Sequence, residues 1–371
     1  MGFNPFTKNN HAIGFSQNLQ NNSLKKIAYI EIDTHAEIAQ DFMDLLHDSK
    51  ALSVDYYFSE KIQNQIKESD ECVHVSDSSM ILDQLSTKKY DLVIIGTVHR
   101  YFNTFLAISQ KYNTSVIVHN LNFSKISKAN LLKNVFKNDL IYRLKLWWKE
   151  GLFYANKTYG KAHHHLVLDQ ELSSDKLNFL PLFYTKSFEK IKSEILTIVI
   201  PGGVSQKRRD YQRVFEIIQN SEIKENITFV FLGKAQGEEL RKLENLSKII
   251  PENIKIKYFP QRVSSEIFDQ WMKKADVLWC PIQEETEFFS NKEIYGKTKM
   301  TGNLGDAIKY GKFAVFPANY SSKLEFIIPE EENVIEQFQK LKNSTFDFQK
   351  AFSREKIQKD VEELLNQLIS I

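Results

Sequence analysis

The feature that most constrains this chain is an alternation. Short apolar runs, too brief for buried helices, recur between longer stretches with helical apolar spacing, and the rhythm runs twice. In the first half, residues 27–32 (IAYIEI), 54–58 (VDYYF), 90–96 (YDLVIIG), 115–119 (SVIVH) and 165–168 (HLVL) read as strands. They are nearly all apolar, as strands covered on both faces are. The stretches His35 to Leu46 and Phe102 to Tyr112 read as helices. The second half places strands at 195–200, 228–232, 254–258, 275–280 and 313–316, with helices at 210–219, 238–247, 264–274 and 302–309. Strands alternating with helices imply parallel sheets with helices on both faces.

A turn-like stretch at 179–191, with Pro181 and several charges, interrupts the rhythm. This predicts two α/β units, at 24–190 and 191–345, after a polar Asn/Gln-rich arm at 1–23 and before a terminal segment at 346–371. A length of 371 residues suits two domains of ordinary size. In the terminal segment, Ile357, Val361, Leu364, Leu365 and Leu368 share one helical face. It is expected to pack back on the first unit.

Bulk properties exclude several classes. A formal net charge of +2 gives no electrostatic footprint for nucleic acid. Two distant cysteines, Cys72 and Cys280, provide no disulfide framework, and a cytoplasmic setting is expected. The arm lacks the apolar core of a signal peptide. No run approaches the ~20 apolar residues that span a bilayer, so membrane contact is expected to be peripheral.

Two loops carry chemistry. The first, Pro201 to Tyr211 (PGGVSQKRRDY), joins a strand end to a helix start, the position where open α/β sheets bind ligands. Gly202 and Gly203 let backbone amides approach an anion. Lys207, Arg208 and Arg209 then sit where the helix dipole disfavours cations by roughly 0.3–1 kcal/mol each. A bound diphosphate resolves that conflict. The other reading is a solvated basic turn with Asp210 as helix cap. Gly233, at the end of the next strand, is assigned to the same donor loop. The second loop, Tyr295 to Asn303 (YGKTKMTGN), repeats the pattern with Lys297 and Lys299, beside Thr298, Thr301 and Gly302. Asp306 follows one turn into the helix, where a carboxylate can accept from ribose hydroxyls. Alternatively, Lys297 and Lys299 pair with Glu284, Glu285, Glu287 or Glu293.

The stretches IVIPGGVSQKRRDY and YGKTKMTGNLGDAIKYGKFAVFP resemble bacterial GT-B glycosyltransferases, especially retaining enzymes similar to family 4. The resemblance implies two Rossmann-like domains facing each other across a cleft. It also implies a nucleotide-diphosphate sugar as co-substrate, with no further cofactor and no metal. Lys207, Arg208 and Arg209 match the family's diphosphate-binding cations. Asp306 matches the second of two family glutamates, and Thr298 stands in place of the first. His119 resembles the family histidine that faces the transferred sugar. The implied chemistry is transfer of a hexose-type sugar to a glycan or lipid-linked glycan for cell-surface polysaccharide. His119, Arg208 and Lys299 are the expected catalytic residues. A GT-B nucleotide-sugar epimerase and a non-catalytic sugar-nucleotide or glycan-binding protein are the alternatives.

In the first half, Glu31, His35, His99 and His119 all follow strand ends, and the first three are assigned to the acceptor side. The run His163–His165 is assigned a structural role, because neighbouring strand residues point to opposite faces. Residues 125–161 interleave lysines with Phe136, Tyr142, Trp147, Trp148 and Phe153. That composition suits an interfacial helix drawn to anionic lipid, which would place the protein on the inner face of the cytoplasmic membrane. The other reading is a helix that packs its tryptophans inward.

Overall fold

The computed structural model describes residues 24–66, 71–186 and 194–370. The polar arm at 1–23 lies outside the described residues. The first sheet contains β1 (Lys25–Glu31), β2 (Leu52–Phe58), β3 (Val73–Val75), β4 (Leu92–Ile95), β5 (Thr114–Ile117), β6 (His164–Val167) and β7 (Asn178–Phe179). Its order is β3-β2-β1-β4-β5-β6-β7, with every pairing parallel. The second sheet contains β8 (Leu196–Pro201), β9 (Ile227–Lys234), β10 (Ile254–Phe259) and β11 (Val277–Trp279). A two-stranded antiparallel hairpin, β12 (Glu285–Phe288) and β13 (Asn291–Ile294), interrupts it before β14 (Phe313–Phe316) and β15 (Ile327–Pro329) complete it. Its order is β10-β9-β8-β11-β14-β15, again parallel.

In each sheet the strand order reverses beside the first strand, between β1 and β4 and between β8 and β11. Such a reversal leaves a crevice beyond the carboxyl ends of the strands. The two crevices face one another. The Leu121 amide donates to the Thr298 carbonyl at 2.9 Å, and Lys309 reaches Asp41 at 3.0 Å.

The core explains the elements. Ile27, Tyr29, Phe42, Leu45 and Leu46 are buried in a cluster that continues through Phe183, Leu304 and Phe316 to Val361 and Leu365 of the terminal helix Arg354–Ser370. That helix packs on the helix Ala36–Leu46. Ser49 donates to Glu362 at 2.6 Å, and Arg354 pairs with Asp48 at 2.9 Å.

Three elements depart from the sequence reading. The linker stretch opens with the short edge strand β7. The hairpin β12–β13 occupies a segment to which the sequence pattern assigns no element, because its charged alternation (ETEF, NKEI) carries no buried-strand signal. Residues 125–161 form three separate α-helices, Lys128–Val135, Leu140–Glu150 and Ala155–Lys161, in place of one interfacial helix.

Candidate functional site

The first glycine loop is built around one guanidinium. Gly202 has φ 101°, in the left-handed region. A side chain there would place its first carbon 2.2 Å from Arg209 Nη2, so only glycine lets Arg209 lie across the loop. Gly233 serves the same contact from below, since a Cβ on it would meet the Gly202 carbonyl oxygen at 2.2 Å. Arg209 donates from Nη2 to Asn303 Oδ1 at 3.2 Å and from Nη1 to the Gly203 carbonyl at 3.4 Å. Its Nε is buried without a partner. Asp210 caps the helix Tyr211–Asn220 through the Arg213 amide at 3.3 Å. Lys207 and Arg208 are exposed, and no side-chain ion pair or hydrogen bond holds either among the described residues. The basic turn therefore divides into one anchored cation and two open ones.

The second loop separates its residues in the same way. Thr298 Oγ1 accepts from the Ile294 amide at 2.8 Å. The side chain thus braces the backbone of the hairpin end. Lys297 is exposed and pairs with none of the four candidate glutamates. Glu293 turns away from it and accepts from the Asn122 and Phe123 amides at 3.2 and 2.8 Å. Lys299 points into the cleft and donates to Asn120 Oδ1. Burial lowers its pKa to about 8, Glu293 opposes that shift and Arg208 adds to it. Thr301 caps the helix Gly302–Tyr310 through the Asn303 amide at 3.4 Å. Asn303 in turn donates to the Pro201 carbonyl at 3.3 Å and to Asp306 at 3.4 Å, tying this helix start to the end of β8.

Asp306 faces a cavity of about 640 Å³ between the units, lined also by Glu37, Gln40, Asp41, Arg262 and Val263. Burial raises its pKa, and Lys309 opposes the rise. Lys309 lies between two acids: burial disfavours its charge, yet Asp41 and Asp306 prevail and hold its pKa above the ordinary value. Arg262 and Val263 were missed as site residues in the sequence reading. The signal was present, because they follow the carboxyl end of β10 and precede a helix, the same position that marked the glycine loop.

Across the cleft, three imidazoles meet. His35 stacks on His119 with centroids 4.1 Å apart, and His99 stands edge-on to both at 5.7 Å. His35 occupies the left-handed region, φ 62°, at the turn between β1 and its helix. Burial holds His99 and His119 well below the usual imidazole pKa, with neighbouring His35 adding to the effect, so both are neutral. Their tautomers follow from their partners. A carbonyl only accepts, so His119 Nε2–H donates to Gly96 O at 2.9 Å. Lys299 only donates, which turns the Asn120 oxygen toward it and the Asn120 NH₂ toward His99 Nε2, 3.0 Å away. His99 therefore carries its proton on Nδ1. His35 Nδ1 lies 3.2 Å from Glu37, so the carboxylate orients that ring with Nε2 as the free nitrogen.

Glu31 sits behind this cluster, fully buried. It accepts from Thr97 Oγ1 at 2.6 Å and from the Asp33 and Thr34 amides at 3.3 Å. Burial raises its pKa to about 7, against those hydrogen bonds. Arg100, next to His99, is bound instead to Glu150 at 3.0 Å.

The histidines of the run 163–165 serve backbone groups. His163 Nδ1 accepts from the Thr114 amide at 3.3 Å, and His165 Nε2 donates to the Tyr159 carbonyl at 2.9 Å. Among the described residues, no group of three or more His, Cys, Asp or Glu side chains is placed to hold a metal ion.

The two facing parallel sheets are the GT-B arrangement. The chain is similar to the N-terminal domain of Candida albicans trehalose-6-phosphate phosphatase, with TM-score 0.57 and 9% identity over 94% of this chain and 97% of that one. It is similar to an alpha-glucosyltransferase in complex with UDP, with TM-score 0.51 and 11% identity over 93% and 96%. It is also similar to the UDP-GlcNAc 2-epimerase from Neisseria meningitidis bound to UDP-GlcNAc, with TM-score 0.51 and 13% identity over 92% and 100%. No protein-family profile matches the sequence, and no curated protein matches it. No helix among the described residues is long and apolar enough to cross a membrane.

Proposed function

We propose that this protein transfers a hexose-type sugar from a nucleoside-diphosphate sugar to a glycan or lipid-linked glycan acceptor, in cell-surface polysaccharide synthesis at the inner face of the cytoplasmic membrane. The observation that carries the reading is the relay Lys299–Asn120–His99, which joins the cationic donor loops to the histidine cluster across the cleft. Asp306 receives the ribose in the cavity beside it, with Arg262 and Val263 against the base. Arg209, Arg208 and Lys299 stabilise the departing diphosphate, charge assistance that a dry cleft strengthens. These three cations supply the positive charge, so the reaction is read as metal-independent.

His35 acts as the proton acceptor, with Nδ1–H held by Glu37 and His119 as the platform beneath the ring. The acceptor hydroxyl gives its proton to His35 Nε2 and its oxygen bonds to the anomeric carbon. The bond from that carbon to the diphosphate breaks, and its electron pair leaves with the phosphate. Direct displacement of this kind inverts the anomeric centre, unlike the outcome implied by the family-4 resemblance.

The test is incubation with UDP-, GDP- and dTDP-sugars, with and without glycan and lipid-linked acceptors. Nucleoside diphosphate released only with acceptor, and an inverted product, support the proposal. An altered sugar formed without acceptor identifies an epimerase and overturns it. Donor binding without turnover leaves a binding protein.

A further inference from the structure

The three helices between Lys125 and Lys161 leave a surface that folding does not explain. Ile141 is 87% exposed, Trp148 86% and Phe136 63%. Large apolar side chains that open to water, grouped together, mark an interaction site. The grouping follows from helical spacing. Ile141, Lys145 and Trp148 fall at i, i+4 and i+7 on the outer stripe of the helix Leu140–Glu150, and Leu132 and Phe136 fall at i and i+4 at the end of the preceding helix. Trp147 is excluded from this face. It packs against the first-unit core and meets Phe153 edge-on at 4.1 Å. Arg143 is likewise buried, its guanidinium over Phe289.

Charge identifies the occupant. All eight lysines between Lys125 and Lys161 are exposed, and none is in an ion pair among the described residues. The acids there do not balance them: Glu150 is buried against Arg100, which leaves Asp139 as the exposed acid. A protein partner of matching shape would need one continuous acidic and apolar surface. A bilayer with anionic headgroups offers both chemistries at once, taking indole and isoleucine at the acyl boundary and lysines at the headgroups.

We infer that the face formed by Phe136, Ile141 and Trp148 with Lys133, Lys137, Lys145 and Lys149 seats the protein on an anionic lipid surface. The helix Leu140–Glu150 is tied to the turn before His35: Glu150 at its end holds Arg100 at 3.0 Å, Arg100 lies 3.8 Å from Asp33, and Asp33 precedes His35 by two residues. A lipid-anchored acceptor held at this surface enters beside His35. The inference refines the membrane setting of the proposed transferase, but it rests on exposed residues, and its test involves no sugar transfer.

The test is co-sedimentation of the full chain with phosphatidylcholine vesicles, with and without phosphatidylglycerol, at low and high salt. The expected result is binding to the anionic vesicles alone, weakened by salt. Ile141→Ser with Trp148→Ser reduces it about tenfold, and charge reversal at Lys145 and Lys149 reduces it at least as far. Trp147→Ser is the contrast: it lowers the melting temperature, whereas the exposed pair leaves it unchanged. Absence of binding to anionic vesicles overturns the inference, as does equal binding by the Ile141/Trp148 variant. A dimer in light scattering that this variant abolishes also overturns it, because the occupant is then a second copy. If vesicle binding is seen while every sugar-nucleotide assay is negative, the lipid site stands and the transferase reading falls.

Discussion

Arg209→Ala isolates the anchored cation of the donor loop. In the structure this guanidinium holds two neutral acceptors, Asn303 Oδ1 and the Gly203 carbonyl, and its Nε is unpaired. A diphosphate would accept from it through charge-assisted bonds worth about 1.5–3 kcal/mol each. Loss of two such bonds amounts to about 3–6 kcal/mol, and the lower figure already corresponds to more than about a hundredfold in Kd. Arg208→Ala removes an exposed cation with weaker, screened coupling, and its cost stays within about tenfold. Titration calorimetry with UDP, GDP and dTDP measures both, and a ligand-free thermal melt reports the separate cost of leaving Asn303 unmet. Arg209→Lys restores the charge but not the planar fork, so it recovers only part of the affinity. Binding by Arg209→Ala within about threefold of the wild type, with an unchanged melt, would refute the assignment of this loop to a diphosphate.

Two pH effects follow from burial. The Lys299 ammonium, with its pKa lowered to about 8, loses its charge as pH rises through that value. Nucleoside-diphosphate affinity should therefore fall between pH 7 and 9, and Lys299→Arg, which stays charged, should flatten the profile in calorimetry. Glu31 carries a folded pKa of about 7 against an ordinary 4.5. Below pH 4.5 it is neutral in both states. As pH rises toward 7 the unfolded chain ionises first, and about 3 kcal/mol of stability is lost over that window. Urea unfolding of Glu31→Gln should lack this loss, and a parallel pH dependence in variant and wild type would count against the buried acid.

The sequence revealed the parts whose physics is local. Runs such as YDLVIIG stand out because strands covered on both faces have no polar side. The glycine loop was visible because cations before a helix are costly. Distant partners were hidden. Asn120 meets Lys299 across 179 positions, and nothing in VIVHNLNF marks it. The contact of Thr298 with the Ile294 amide was hidden too, because the hairpin that sets it has no apolar signature. The difference between Trp147 and Trp148 rests on helix rotation, which composition cannot resolve and packing against Phe153 decides.

The hairpin β12–β13 also bears on how the chain is made. Its tip places Phe288 and Phe289 against Phe123 of the first unit, at 4.8 and 5.4 Å, while Glu293 accepts the amides that begin the helix Leu121–Ser124. Synthesis proceeds from the amino end, and domains generally fold as they emerge. When residue 190 leaves the ribosome, that helix start lacks the Glu293 carboxylate, and Phe123 has Phe102 and Tyr159 beside it but not the two hairpin rings. The first unit thus waits for residue 298, whose carbonyl takes the Leu121 amide, before its cleft wall is finished, and an excised 24–190 fragment carries a sticky aromatic opening where the intact protein has a seam.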